Sequence, residues 1–157
     1  MCSSDLHAEQ LQAAKIPFIF DPGQGLPMFD GADLERFISQ ATWVAVNDYE
    51  AKMLAERTGR SLADISKGHL QGLIETLGAD GCNVYVQGVK THVPGVKAAA
   101  VVDPTGCVDA FRGGLLYGLT QGWDLVKSVA LANQIGAIKI AAAGPQNYTL
   151  DRVALGV

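Results

Sequence analysis

Val102-Asp103-Pro104-Thr105-Gly106-Cys107-Val108-Asp109-Ala110-Phe111-Arg112-Gly113-Gly114 is the stretch on which the reading of this chain turns. It reads as a strand end, a glycine-bearing turn and a helix start, with an acid in the first helical turn. Backbone N–H groups at such a turn have no helical partner, and the helix dipole adds positive potential there, so a polyphosphate fits the place. An Asp held beside it is placed to take a proton from an attacking hydroxyl, the base role in phosphoryl transfer. The alternative is an Asp that only complements a helix N-terminus, where the residue is common. Spacing alone leaves both readings open.

Working outward, two long helices are predicted on the C-terminal side, Cys107 to Thr120 and Leu125 to about Ala142. Gln121-Gly122-Trp123-Asp124 between them supplies a stop and then an N-cap Asp. Their Ala and Gly content predicts close packing. Upstream, Ala98–Val102 and Cys82–Val86 read as strands, and Gly88-Val89-Lys90 as a hairpin turn into Thr91-His92-Val93. Leu70, Leu73, Ile74 and Leu77 fall at helical spacing and predict a helix ended by Gly78. Asn47-Asp48-Tyr49-Glu50 opens a helix through Arg57 that Thr58-Gly59 stops, and Trp43–Val46 before it is a buried strand. Asp33–Gln40 is a helix, Gln24–Gly31 a loop, Ile16–Phe20 a buried strand, and His7–Ala14 the tail of a helix. Residues 1–6 belong to no predicted element and are expected to be disordered or foreign, which leaves 7–157 as one domain.

Helices alternating with apolar strands predict an α/β layered fold with a mainly parallel central sheet flanked by helices. In such sheets ligands sit beyond the carboxyl ends of the strands. Asp21, Asn47, Gly78–Gly81 and Gly106–Asp109 all fall at predicted strand ends or in adjacent turns.

The 157 residues suffice for one domain with a real core. The net charge of -4 and the absence of a Lys/Arg cluster argue against a nucleic-acid partner held through phosphate contacts. An acidic balance still admits nucleotides, because backbone amides and a metal ion can hold phosphates. Three cysteines, Cys2, Cys82 and Cys107, lack paired spacing and predict reduced thiols and a cytoplasmic location. Cys82 reads as a small buried residue. His7, His69 and His92 form no metal-ligand pattern. The apolar run Val129–Gly144 is too short to span a bilayer and contains Asn133, Gln134 and Lys139, so no membrane partner is expected.

Three motifs carry a family resemblance. Asp103-Pro104-Thr105-Gly106-Cys107-Val108-Asp109-Ala110-Phe111 resembles the C-terminal signature of the PfkB, or ribokinase-like, carbohydrate kinases, D-[STP]-T-G-[AC]-G-D-x-F. Asn47-Asp48-Tyr49-Glu50 matches the family's N-x-x-E, and Thr76-Leu77-Gly78-Ala79-Asp80-Gly81 its T-x-G-x-x-G segment. They occur in the family's order over roughly residues 10–150. The Phe20–Pro27 run and the Asp-Pro-Thr-Gly-Cys form are most similar to bacterial adenosine kinase-type members.

The resemblance implies a ribokinase-like fold and ATP-dependent phosphorylation of a hydroxymethyl group on a small sugar or nucleoside, adenosine first. It implies that Asp109 is the general base, and that the amides of Gly106, Cys107, Val108 and Asp109 form the anion hole. It implies that Asn47 and Glu50 organise Mg²⁺ through water. Thr76, Gly78 and Gly81 would lie against the ATP phosphates, and Asn133 would line the adenine. Each has a plainer alternative: a solvated first-turn acid for Glu50, a helix C-cap and a turn for the two glycines, a packed helix polar residue for Asn133. Arg112, one turn beyond Asp109, reads equally as a phosphate contact or a surface residue.

Two departures matter. Val108 stands where the family has Gly, and a β-branched residue suits neither positive φ nor close phosphate approach. The chain is also about half the family's length, which implies the C-terminal, nucleotide-binding half of a kinase. A sheet that starts part-way would leave an edge and apolar surface uncovered, predicting self-association, with a homo-oligomer as one form of it. The competing expectation is a non-catalytic nucleotide-binding module. A generic dinucleotide-binding domain would need G-x-G-x-x-G after a strand, and the chain has none.

Overall fold

The computed structural model describes residues 3–157. Met1 and Cys2, part of the segment expected to be disordered or foreign, lie outside the described residues. The rest of that segment is not elementless: α1 spans Ser3–Ala13. Ser and Asp are residue types that favour helix starts, so the helix whose tail is predicted at His7–Ala14 already begins at Ser3.

The chain divides into two compact units. The first runs from the N-terminus through Leu77 and adds Asn83–Thr91; the second is Gly78–Cys82 with His92–Val157. In the first unit β1 (Ile19–Phe20), β2 (Trp43–Asn47) and β3 (Gly72–Thr76) are parallel, with Phe20 beside Val44 and Asn47 beside Thr76. Between them come α2 (Gly31–Gln40), α3 (Asp48–Thr58) and the single turn α4 (Leu62–Ile65). The sheet continues through β4 (Gly81–Val86) to β5 (Val89–Pro94), in the order β1-β2-β3-β4-β5. Gln87 and Gly88 join the last two, both at positive φ (50° and 84°), as a two-residue hairpin turn requires. The turn therefore sits one residue before its predicted place.

The core of this unit is built from Leu26, Leu34, Phe37, Val44, Leu54 and Leu73, all buried. Phe20 stacks on Phe37 with ring centroids 4.8 Å apart, and Phe29 meets Phe37 edge-on at 5.2 Å. Arg57 of α3 closes the unit by donating to the carbonyls of Leu26, Pro27 and Phe29. These belong to a 3₁₀ turn, Gly23–Met28, and the residue after it, where a plain loop was expected.

Two predicted elements are corrected. Leu70–Leu77 is not a helix but the approach to β3 and β3 itself. Leu73 and Ile74, neighbours that face opposite sides of a strand, are both fully buried. A strand covered on both faces carries a continuous apolar run, and over so short a stretch this mimics helical spacing. Ala98–Val102 is not a strand. The amides of Val102 and Asp103 both donate to the Ile140 carbonyl, and Val101 stays 79% exposed, so no ladder forms. The expected strand Ile16–Phe20 contracts to Ile19–Phe20, because Ile16 still bonds back to Leu11 at the end of α1.

The second unit holds the outer ends of β4 and β5, then α5 (Cys107–Thr120), α6 (Leu125–Ile140) and the short α7 (Arg152–Leu155). Asp124 caps α6 by accepting from the Lys127 amide at 2.8 Å, as predicted. Small residues let α5 and α6 pack closely. A Cβ on Gly114 would lie 2.9 Å from Ala132 Cα, and one on Gly118 2.6 Å from Ser128 Oγ. The sheet is thus mostly parallel and flanked by helices, the expected α/β class.

Candidate active site

The turn before α5 is built from its own backbone. The Asp103 carboxylate accepts the Thr105 amide at 2.9 Å with one oxygen and the Gly144 amide at 2.8 Å with the other. These bonds, the Thr105 amide foremost, hold the Asp103 carboxyl down at about 2. The Pro104 carbonyl accepts from Cys107, closing a tight turn. Gly106 then takes the left-handed conformation, φ 81° and ψ 4°. A Cβ there would lie 2.9 Å from the Pro145 carbonyl oxygen, so both conformation and space call for glycine.

Gly106 is the N-cap of α5 and has no side chain with which to cap it. The Cys107 amide is taken by Pro104, and the Ala110 amide by Gly106. The amides of Val108 and Asp109 are left facing outward at the positive end of a 14-residue helix. This narrows the expected anion hole, since Cys107 already donates within the turn. Val108 is helical, not at positive φ, and its side chain is 57% exposed in the first turn. The positive φ that would make a β-branched residue a poor fit is therefore not required at 108, and what distinguishes Val from Gly there is side-chain bulk. Asp109 is exposed beside it and lines a cavity of about 440 Å³ with Gly113, Tyr117, Gln146, Tyr148 and Arg152. Arg112, one turn along, is partly buried and engaged within the chain.

Beneath the turn lies a group that sequence reasoning passed over. Lys139 of α6 is fully buried, and its Nζ donates to the Asp103 carbonyl at 2.7 Å and the Ala142 carbonyl at 3.1 Å. The available signal was a lysine inside an otherwise apolar helix, which must find polar partners if it is buried. Cys107, close by, has its thiol pushed up by burial.

In the first unit, Asn47, Glu50 and Thr76 lie together at the carboxyl ends of β2 and β3. Asn47 Oδ1 accepts the Glu50 amide at 2.8 Å, and Glu50 Oε2 accepts the Asn47 amide at 2.9 Å. The N-x-x-E motif is thus a capping box, a reading legible from Asn three residues before Glu at a helix start. One Glu50 oxygen remains for a cation. Among the described residues no group of three or more His, Cys, Asp or Glu is gathered to hold a metal ion. That donor set fits Mg²⁺, which keeps most of its waters and needs only one or two carboxylates.

Gly78, Gly81 and Asn133 lie in the second unit. Gly78 (φ 60°) faces open space, whereas a Cβ on Gly81 (φ 95°) would meet the Val93 carbonyl at 2.2 Å. Both conformation and space therefore call for glycine at 81. Asn133 donates to the Pro94 carbonyl at 3.1 Å and accepts from the Cys82 thiol at 3.3 Å. Both ends of its amide are engaged within the unit, as the packed-residue alternative expects. Cys82 is buried, as expected, and its thiol is pushed up to about 12 by desolvation.

A helix end with two outward amides, fed by a tight glycine turn and carrying an acid, is the distinguishing local geometry of this α/β chain. The chain matches the model of the pfkB family carbohydrate kinases over residues 5–152 and belongs to that family. It is similar to the structure of Burkholderia thailandensis nucleoside kinase in complex with inosine, at 50% identity and a TM-score of 0.89. That match covers 96% of this chain and 49% of the other. The nucleoside kinase of Methanocaldococcus jannaschii is 30% identical over 136 residues, 85% of this chain and 45% of its own. Aminoimidazole riboside kinase from Salmonella enterica, solved with aminoimidazole riboside and an ATP analogue, is 26% identical. Its TM-score is 0.73, with 97% of this chain and 55% of that one covered. The ribokinase-like fold is shared, and the chain spans about half the length of these relatives. No helix among the described residues is long and apolar enough to cross a membrane.

Proposed function

We propose that this chain carries the phosphoryl-transfer centre of an ATP-dependent cytoplasmic kinase that acts on a hydroxymethyl group of a nucleoside. The observation that carries the reading is the uncapped, glycine-turned N-terminus of α5 with Asp109 in its first turn beside an open cavity. Asp109 takes the proton of the acceptor hydroxyl as its oxygen attacks the γ-phosphorus. The bond from that phosphorus to the β-phosphate oxygen breaks, and ADP leaves. The Val108 and Asp109 amides face the charge that develops on the transferred group and need no reorganisation to do so. Bound Mg²⁺ would neutralise polyphosphate charge, with Glu50 holding it through water and Asn47 fixing the Glu50 carboxylate. Similarity to nucleoside kinases favours a nucleoside over a free sugar, and adenosine and inosine are the acceptors to compare first.

Val108 supports a second reading, a nucleotide-binding module without turnover, because its exposed side chain stands where the phosphoryl group would approach. Calorimetry of Mg·ATP binding and turnover of adenosine and inosine, on the chain and on Asp109→Asn and Val108→Gly, separates the two. Under the kinase reading Asp109→Asn loses turnover by at least about 100-fold while binding nucleotide. Turnover that appears only in Val108→Gly would favour the module. Absence of nucleotide binding from all three folded proteins would sink both. Self-association, as a homo-oligomer, belongs to the same proposal, and sedimentation velocity tests it.

A further inference from the structure

Among the described residues Lys139 is the one charged side chain with no exposed surface. An apolar residue would pack this helix without the cost of desolvating an ammonium. What the ammonium does instead is join two loops. It donates to the carbonyl of Asp103, at the start of the turn before α5, and to that of Ala142, just after α6. The Asp103 carboxylate makes the reciprocal tie by accepting from Thr105 in the first loop and Gly144 in the second. One residue further along each loop, Gly106 meets Pro145 so closely that a Cβ has no room. That meeting lies at Gly106, the residue that caps the α5 N-terminus.

We infer that Lys139 is a positioning residue for the phosphate-receiving end of α5: its buried ammonium clamps the 103–106 turn to the 142–145 loop and so aims the Val108 and Asp109 amides. The inference rests on the phosphoryl-transfer reading for its functional consequence, but the clamp itself has an independent readout. Its contribution is charge and hydrogen bonding at one buried point, so a small cation that enters the space left by a truncated side chain should replace it.

The test compares the chain with Lys139→Ala and with Lys139→Met, which keeps bulk without charge. ADP affinity is measured by calorimetry, with and without ammonium or methylammonium, and with tetramethylammonium as the control too large to enter. Hydrogen exchange at the Thr105 and Gly144 amides is followed in parallel. Both variants should bind ADP at least about ten-fold more weakly, the scale on which supporting partners of a bound group act. Both should exchange the two amides faster. Ammonium or methylammonium should restore affinity and protection to Lys139→Ala, and tetramethylammonium should not. If Lys139→Ala folds only when ammonium is present, the clamp is supported through folding itself. Unchanged ADP affinity in a folded Lys139→Met, or a loss in Lys139→Ala that no amine repairs, overturns the inference. Should the unaltered chain bind no ADP, the phosphate reading fails alone, and amide exchange at Thr105 and Gly144 still decides the clamp.

Discussion

Asp103 shows how much one side chain can organise around a turn. Its two carboxylate oxygens serve two amides 39 residues apart in sequence, Thr105 and Gly144. The folded state holds the carboxyl at about 2, below its ordinary value of 3.8. A depressed carboxyl contributes stability that is complete above its unfolded value and is lost as pH falls through its folded value. The window is therefore about pH 4 down to 2. Asn at 103 has one acceptor oxygen and cannot serve both amides as a carboxylate does. Asp103→Asn is expected to lower the urea midpoint at neutral pH and to flatten its fall between pH 4 and 2; parallel midpoint curves for the two proteins would contradict the assignment. The position was visible in the sequence as part of a motif, yet the role was not, since Lys139 reaches it from the last turn of α6 and the Gly144 amide from the loop beyond. Local reading finds turn residues through conformational need, as at Gly106, but not the distant partners that fix the turn.

At the scale of elements, the capping box of α3 and the close pair α5–α6 each allow a clean experiment. Asn47→Ala removes an N-cap and should cost about 1 kcal/mol. Glu50→Gln keeps an acceptor for the Asn47 amide while removing the charge. It should leave the thermal midpoint nearly unchanged yet raise the Mg²⁺ concentration needed for turnover; an unchanged Mg²⁺ dependence would reduce Glu50 to a cap. In α5, Gly118→Ala places a methyl 2.6 Å from Ser128 Oγ, in space the helix pair does not have. Helix propensity alone would make that substitution stabilising. Overpacking should prevail and cost about 1–3 kcal/mol, measured by urea unfolding. Elements with strong end signals were legible: α5, with its glycine turn, and α6, with its Asp cap, appear within two residues of their predicted bounds. β3 was misread because its burial on both faces erased the alternation that marks a strand. Ala98–Val102 has strand-like composition but no neighbour to pair with, and pairing is a tertiary property.

At the scale of the whole molecule, the sequence predicts an uncovered edge and uncovered apolar surface, and the character of the two sheet edges bears on how chains could associate. β1 at one edge has only two residues, and β5 at the other is mostly exposed, with Lys90, Thr91 and His92 following an exposed Val89. Short and charged edges resist strand addition. Any self-association would therefore draw on exposed apolar side chains such as Val101, Val102 and Met28 rather than on sheet extension. The general α/β plan was legible because alternating helices and apolar strands constrain it strongly. The partition into two units was not, because no composition change or linker marks it.

That partition has a consequence for anyone who would cut the gene. The chain passes from one unit to the other after Leu77, again after Cys82 and again after Thr91, so both β4 and β5 begin in one unit and finish in the other. A reading frame stopped after Leu77 would delete Tyr85 from the first core and strip Glu75 of both its donors, Asn83 and Tyr85. One that starts after Thr91 would take from the second unit Gly81 and the Cys82 thiol that Asn133 accepts. No single breakpoint yields either unit whole, so neither can be expressed intact by a simple truncation.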